Sequence, residues 1–150
     1  MNGTLAQDAR PPLLLIRMMN PVMRTLLRSP AGRLVRPFAL LEFDGRHSGR
    51  RYRVPVGWHT VDGEPAVFTP APWRENFRGG RMVNVWHRGR RSRAVATLDD
   101  DPVDVAVALQ ALAEDRGSLR AVGVRMAPGR RLTAADARNV DRALIRFEPT

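Results

Sequence analysis

The chain has 150 residues, 43% of them apolar, which suits a single folded domain with its own core. It has no cysteine, which excludes disulfides, thiolate nucleophiles and cysteine-held metal sites, and its three histidines lack metal-ligand spacing. The net charge is +10 and arginine supplies all of the Lys/Arg positive charge, so the surface should attract anions such as phosphorylated cofactors, nucleic acid or acidic lipid headgroups.

The N-terminal part predicts a tail followed by an amphipathic helix. We expect residues 1–10 to be disordered. Pro11 and Pro12 favour a helix start, and the helix should run to about Arg28 with a kink or break at Pro21. Its apolar face could pack on the core or cover the open end of a barrel. A peripheral membrane contact through residues 11–28 and a role in a homodimer are the alternatives.

Residues 36–98 change to the alternating pattern of β-strands. Two-residue turns are predicted at Asp62-Gly63 and Gly89-Arg90, and residues 70–80 are predicted as a loop with one helical turn. The predicted strands are Phe38–Phe43, Arg51–Thr60, Ala66–Thr69, Met82–His87 and Ser92–Leu98.

The C-terminal part alternates helices with short strands. Three aspartates followed by Pro102 predict a helix to about Arg116, and a capping box beginning at Thr133 predicts another to about Asp141. Residues 121–126 are a strand candidate within an ambiguous segment, and residues 144–147 are the last strand. These short strands with peripheral helices predict an α+β fold, mainly β, with residues 11–150 as one antiparallel barrel domain.

Residues 44–56 carry the clearest chemical signal. Gly45 and Gly49 allow a tight bend that exposes backbone amides. Arginines surround the bend and a β-branched run follows it, which suits the binding of a phosphate or another small anion. The Walker spacing and the Rossmann fingerprint are both absent.

Residues 72–80 form the second unusual stretch. Trp73 beside Arg74 could wall a pocket for a flat ring with a charged tail. The alternative is a loop held by a buried tryptophan, in which Asn76 only caps a turn.

Together, GRHSGRRYRVPV, DG, VFT, PWRENFRGG and RGRR resemble the deazaflavin-dependent nitroreductases, also called F420H2-dependent quinone reductases, of the flavin/deazaflavin oxidoreductase superfamily. The resemblance covers roughly residues 30–115. It implies a split β-barrel of the FMN-binding type, often dimeric in the superfamily, with the cofactor in a groove at the barrel surface.

The resemblance also implies which residues bind the cofactor. A phosphate-binding turn, a strand beside the deazaflavin ring and a W-x-x-N segment close to the cofactor have counterparts here. His47 stands where the family usually has lysine, and Arg51 and Arg53 could compensate for the lost charge. The implied binding residues are Arg46, His47, Ser48, Gly49, Arg50, Arg51, Val54, Pro55, Val56, Trp73, Arg74 and Asn76.

The implied function is an F420H2-dependent oxidoreductase that transfers hydride to a quinone, nitroaromatic or similar electrophilic acceptor. F420 is the expected cofactor and FMN the alternative, with no metal. No catalytic side chain is predicted because the cofactor carries the hydride, and His59 and His87 are either proton donors or plain strand residues.

Two other functions are left open. One is a non-catalytic member of the same fold that binds FMN, haem or a lipid. The other is a nucleic-acid-binding barrel that uses Trp73, Phe77 and Trp86. We expect a cytoplasmic protein, with membrane association through the N-terminal helix as the alternative.

Overall fold

The computed structural model describes residues 6–8, 21–22, 24–34, 37–126, 129 and 131–150. The helices in this part are α1 (Pro102–Arg116) and α2 (Ala134–Val140), with short 3-10 helices at Pro30–Leu34, Pro72–Phe77 and Arg120–Val122. The strands are β1 (Ala6–Asp8), β2 (Phe38–Asp44), β3 (Arg51–Gly57), β4 (His59–Val61), β5 (Glu64–Thr69), β6 (Arg81–His87), β7 (Arg90–Asp99), β8 (Val124–Met126) and β9 (Ala143–Pro149).

Strands β2–β7 and β9 form one antiparallel sheet that curls into a split barrel. The strand order is β3-β2-β6-β7-β9-β5-β4. Val56 on the edge strand β3 and Val67 on β5, beside the opposite edge, belong to one buried cluster with Ile145. The two ends of the sheet therefore approach each other across a shared interior. The predicted fold class, a mainly β split barrel with peripheral helices, is confirmed.

The helical layer covers the outer face of one half of the sheet. Val105 and Leu109 of α1 belong to a second buried cluster with Phe68 of β5 and Leu144 of β9. Helix α1 begins where the sequence predicts, because the side chain of Asp101 accepts hydrogen bonds from two first-turn N–H groups at 2.8 and 3.3 Å. The helices thus brace one half of the sheet and leave the turn after β2 uncovered.

One strand prediction and one turn prediction were only partly right. The single predicted strand Arg51–Thr60 is two strands, because the chain bends at Trp58, whose N–H donates to the Pro37 carbonyl at 2.7 Å. The bend carries the chain from one edge of the barrel to the other. The β6–β7 turn is Arg88-Gly89 rather than Gly89-Arg90, with φ of 55° and 74°. The Asp62-Gly63 turn is confirmed.

The predicted disordered tail contains an ordered segment. Ala6–Asp8 pair with β8, and the other residues of this segment lie outside the described residues. Most of the predicted helix over residues 11–28 lies outside the described residues, but residues 24–28 are helical and Leu27 is fully buried. No helix in the described part of the chain is long and apolar enough to cross a membrane.

The C-terminal predictions hold with changed boundaries. The strand candidate over residues 121–126 is shorter, because Gly123, at φ 70°, ends a 3-10 helix before β8 begins. The capping box of α2 is present, with the Thr133 N–H donating to the Asp136 carboxylate at 2.9 Å. Strand β9 extends beyond the predicted residues 144–147 at both ends.

Candidate functional site

The turn between β2 and β3 is closed by its own hydrogen bonds. The Gly45 N–H donates to the Arg50 carbonyl at 2.7 Å, and the Gly49 N–H donates to the Gly45 carbonyl at 3.0 Å. The Ser48 hydroxyl accepts from the Arg50 N–H at 3.2 Å. Gly49 has a φ of +68°, which disfavours a side chain there. These bonds fix the turn that carries Arg46.

Gly45 is required for a steric reason. A Cβ at this position would lie 2.7 Å from Cε2 of Tyr52 and 2.8 Å from Oγ of Ser48. No side chain fits at those distances without displacing one of the two neighbours. The glycine therefore lets the turn and the tyrosine ring approach each other.

Asn76 joins this turn to the second unusual stretch. Its Oδ1 accepts from the Arg46 N–H at 2.7 Å, and its Nδ2 donates to the Trp73 carbonyl at 2.8 Å. The second bond is the turn cap that the sequence allowed. The first bond connects residues 30 positions apart. Asn76 thus holds the arginine-rich turn against the tryptophan segment.

The two segments form the walls of one groove with a volume of about 410 Å³. Of the predicted binding residues, the groove brings together Arg46, His47, Ser48, Trp73 and Asn76. Its remaining lining consists of Gly45, Tyr52, Pro72 and Glu75, which were not among the predicted binding residues.

Aromatic rings support one wall of the groove. Tyr52 stacks on Phe43 with ring centroids 5.4 Å apart and an interplanar angle of 11°. Phe77 is fully buried and meets Phe43 and Trp73 edge-on, at 4.7 and 6.1 Å. The Tyr52 and Trp73 rings are therefore held by packing. Tyr52 could have been found from the sequence, because it alternates with Val54 on the inward face of β3.

Two predicted arginines have partners elsewhere. Arg74 pairs with Asp141 at 3.2 Å and donates to the Thr69 carbonyl at 3.4 Å, and it lines a separate cavity of about 240 Å³. Arg51 pairs with Asp44 at 3.0 Å. Neither side chain lines the groove of about 410 Å³.

The other predicted residues also lie outside the groove lining. Gly49 and Arg50 are exposed at the outer end of the turn. Val54 and Val56 of β3 pack on the barrel interior, and Pro55 lies on the opposite face of the strand, paired with Leu40. The segment Val54–Val56, predicted to lie beside the cofactor ring, therefore does not line the groove, and Tyr52 is the residue of β3 that does.

The charges of the groove favour an anion. The Glu75 carboxylate is held by Arg78 at 2.8 and 3.0 Å, and the hydrogen bond from Arg78 lowers the pKa of Glu75. The Arg46 guanidinium makes one long hydrogen bond, 3.5 Å to the Glu75 carbonyl, and no carboxylate of the described residues pairs with it. Arg46 is the arginine of the groove lining, and among the described residues its charge is not neutralised by a carboxylate.

Neither proton-donor candidate from the sequence lines the groove. Burial, with a smaller effect of the Arg116 charge, lowers the pKa of His59 to about 4, so its imidazole is neutral near neutral pH. His87 lies on β6 beside Trp58, with ring centroids 5.4 Å apart. Within the described ranges, no group of three or more His, Asp or Glu side chains could hold a metal ion.

Comparison with known proteins gives distant structural similarity. No protein-family model and no curated protein sequence matches the chain. The heme storage protein HutZ from Vibrio cholerae is similar with a TM-score of 0.49 and 15% identity, over 79% of this chain and 85% of that one. The general stress FMN/FAD binding protein from Xanthomonas citri is similar with a TM-score of 0.44 and 16% identity, over 86% and 84%.

A third structure, Atu2129 from Agrobacterium tumefaciens, of unknown function, is similar with a TM-score of 0.39 and 19% identity, over 92% of this chain and 55% of that one. All three TM-scores are below 0.5. The fold described above therefore rests on the strand order and register of this chain.

Proposed function

We propose that the groove binds a phosphorylated tricyclic redox cofactor, F420 in the first instance and FMN as the alternative, and that the protein passes a hydride to a quinone, nitroaromatic or similar acceptor. The observation that carries this proposal is the meeting of a basic turn and an aromatic wall in one groove, joined by the hydrogen bond between Arg46 and Asn76. A phosphate and a flat ring need these two surfaces side by side.

The chemistry of the lining residues suits such a cofactor, and the groove has a volume usual for small-molecule sites. The groove volume of about 410 Å³ falls within the range of about 300–1,000 Å³ that is usual for small-molecule sites. Arg46 offers a fixed positive charge, and the hydroxyl of Ser48 lies in the same wall. On the other wall, Trp73 and Tyr52 present ring surface against which a planar group can pack.

Each part of the groove has a separate task in this proposal. Arg46 binds the phosphate, and the imidazole of His47 adds one hydrogen bond. Trp73 and Tyr52 orient the ring and exclude water from one of its faces. The bound cofactor supplies the hydride chemistry, so no protein nucleophile is required.

A second candidate is a protein of the same fold that holds FMN, haem or a lipid without turnover. His47 favours this candidate, because it removes the fixed charge that lysine would supply at the same position in the phosphate-binding turn. The nucleic-acid alternative has less support. Phe77 is fully buried and the indole N–H of Trp86 donates to Glu42, so these rings do not form a stacking surface.

The proposal is tested by comparing Arg46→Gln with Arg51→Gln. Arg46 lies in the turn and Arg51 begins the strand that follows it, so both variants lose one positive charge in the same region. Only Arg46 lines the groove, and Arg51 is paired with Asp44. We expect Arg46→Gln to weaken F420 binding by about 1.5–3 kcal/mol, the usual value for a hydrogen bond to a charged group. Arg51→Gln should change it by less than about 1 kcal/mol.

Equal affinities for the two variants would refute the assignment of Arg46. Steady-state assays of the F420H2-loaded protein with quinone and nitroaromatic acceptors then separate the two candidates. Turnover supports the reductase, and tight binding without turnover supports the non-catalytic protein.

A further inference from the structure

A basic surface lies at the end of the barrel opposite the groove. Residues 9–41 and 76–98 contain no aspartate or glutamate. The second stretch includes the β6–β7 hairpin, whose tip carries Arg88, Arg90 and Arg91, all exposed. An arginine-rich surface formed by two acid-free stretches has a strong positive potential.

The two stretches are in contact at this tip. A Cβ on Gly32 would lie 3.1 Å from the Gly89 nitrogen, and a Cβ on Gly89 would lie 3.1 Å from the Ser29 carbonyl oxygen. Residues 29–32 therefore rest directly on the hairpin turn, and Arg33 follows at the same end. Phe38 lies there too, because the next residue, Ala39, pairs with His87.

We use the name hairpin patch for the surface that consists of Arg33, Phe38, Arg88, Arg90 and Arg91. None of its four arginines has an ion pair with a residue that the structure describes. The Phe38 side chain at the same end of the barrel is 40% exposed. Exposed arginines at the same end of the barrel as an exposed aromatic ring suit a partner with a negative surface and an apolar layer beneath it.

The backbone supplies an independent observation. Arg88 occupies the first position of a two-residue hairpin turn at φ 55°, where asparagine, aspartate or glycine is favoured. An arginine there opposes the local conformational preference. The position is thus occupied by a charged residue against the preference of the turn itself.

We propose that the hairpin patch binds the surface of an anionic lipid bilayer, with its arginines at the headgroups and Phe38 in the interface. Strand β2 runs from Phe38 to Asp44 and leads into the groove turn at Gly45. Seven residues of strand span about 20 Å, so the groove stays open to solvent when the patch lies on the membrane.

The test is co-sedimentation of the full chain with vesicles of phosphatidylcholine containing about 30% phosphatidylglycerol, at about 0.1 M salt. The double variant Arg88→Asn with Arg90→Gln should partition about 25-fold more weakly, about five-fold per arginine. The control is Arg120→Gln with Arg138→Gln, which removes equal charge from exposed residues on the helical side and should bind like the wild type.

Two further measurements separate lipid binding from effects on folding and the apolar contribution from charge attraction. Arg88→Asn suits the turn better than arginine, so a loss of binding by this variant with an undiminished midpoint of urea unfolding cannot be attributed to misfolding. Phe38→Ser should weaken the binding that persists at about 0.5 M salt, where charge attraction is screened.

Equal binding of the two double variants would overturn the proposal. Binding of a single-stranded oligonucleotide through the hairpin arginines, without vesicle binding, would overturn it as well.

Discussion

Replacing Asn76 should separate the stability of the groove from its affinity for an anion. Asn76→Ala removes two hydrogen bonds, of 2.7 Å from the Arg46 N–H and of 2.8 Å to the Trp73 carbonyl. Each is worth about 0.5–1.5 kcal/mol net, so the free energy of unfolding should fall by about 1–3 kcal/mol. Cofactor affinity should fall too, because the two walls of the groove are no longer joined.

Asn76→Asp is the matched variant. Its carboxylate still accepts from the Arg46 N–H but cannot donate to the Trp73 carbonyl, so the loss of stability should be about half that of Asn76→Ala. The new negative charge lies beside the proposed phosphate position and competes for the guanidinium of Arg46. Affinity should therefore be lower in Asn76→Asp than in Asn76→Ala, although its stability is higher.

Urea unfolding followed by fluorescence ranks the two variants by stability, and titration with F420 and FMN ranks them by affinity. Opposite rankings in stability and affinity are the signature of an anion-binding groove. If Asn76→Ala binds more weakly than Asn76→Asp, or if neither variant changes affinity, the argument from the joined walls is wrong.

Three further variants test other parts of the structure. Between pH 6.5 and about 4, the unfolded chain binds a proton at His59 that the folded protein does not. The free energy of unfolding should therefore fall by up to about 3 kcal/mol on acidification through this range. Urea unfolding of His59→Leu over the same pH range should lack this fall. Phe77→Ala should lose about 3–5 kcal/mol of stability, because the ring is fully buried beneath the groove; chemical denaturation measures this, and a loss below about 1 kcal/mol would contradict the packing. Thr133→Ala should lose about 1 kcal/mol through the capping box and leave cofactor affinity unchanged, as the same titration can check.

The sequence predicted those elements whose signals are local. The Asp62-Gly63 turn, the cap of α1 at Asp101 and the capping box at Thr133 depend on residues within one turn of each other. The bend at Trp58 was not predicted because the alternation of apolar residues continues through it. Its hydrogen bond to the Pro37 carbonyl joins residues that are far apart in the sequence. The pairing of β1 with β8 is likewise non-local.

The candidate site shows the same limit. The two segments that line the groove could be recognised, because glycine, arginine and tryptophan occur there in an unusual order. The roles of the individual residues could not be predicted, since Arg74 pairs with Asp141, a residue 67 positions away. Tyr52 could have been selected from its alternation with Val54 on β3, but its stacking on Phe43 of the neighbouring strand is visible only in the structure.

The most direct test of cofactor binding is the quenching of Trp73 fluorescence by F420. The chain has three tryptophans, and Trp73 is the one in the groove lining. Saturable quenching in the wild type, lost in Trp73→Phe while Trp58 and Trp86 still emit, is the result that the account predicts. Emission that stays unchanged on addition of either F420 or FMN, in a folded protein, would contradict it.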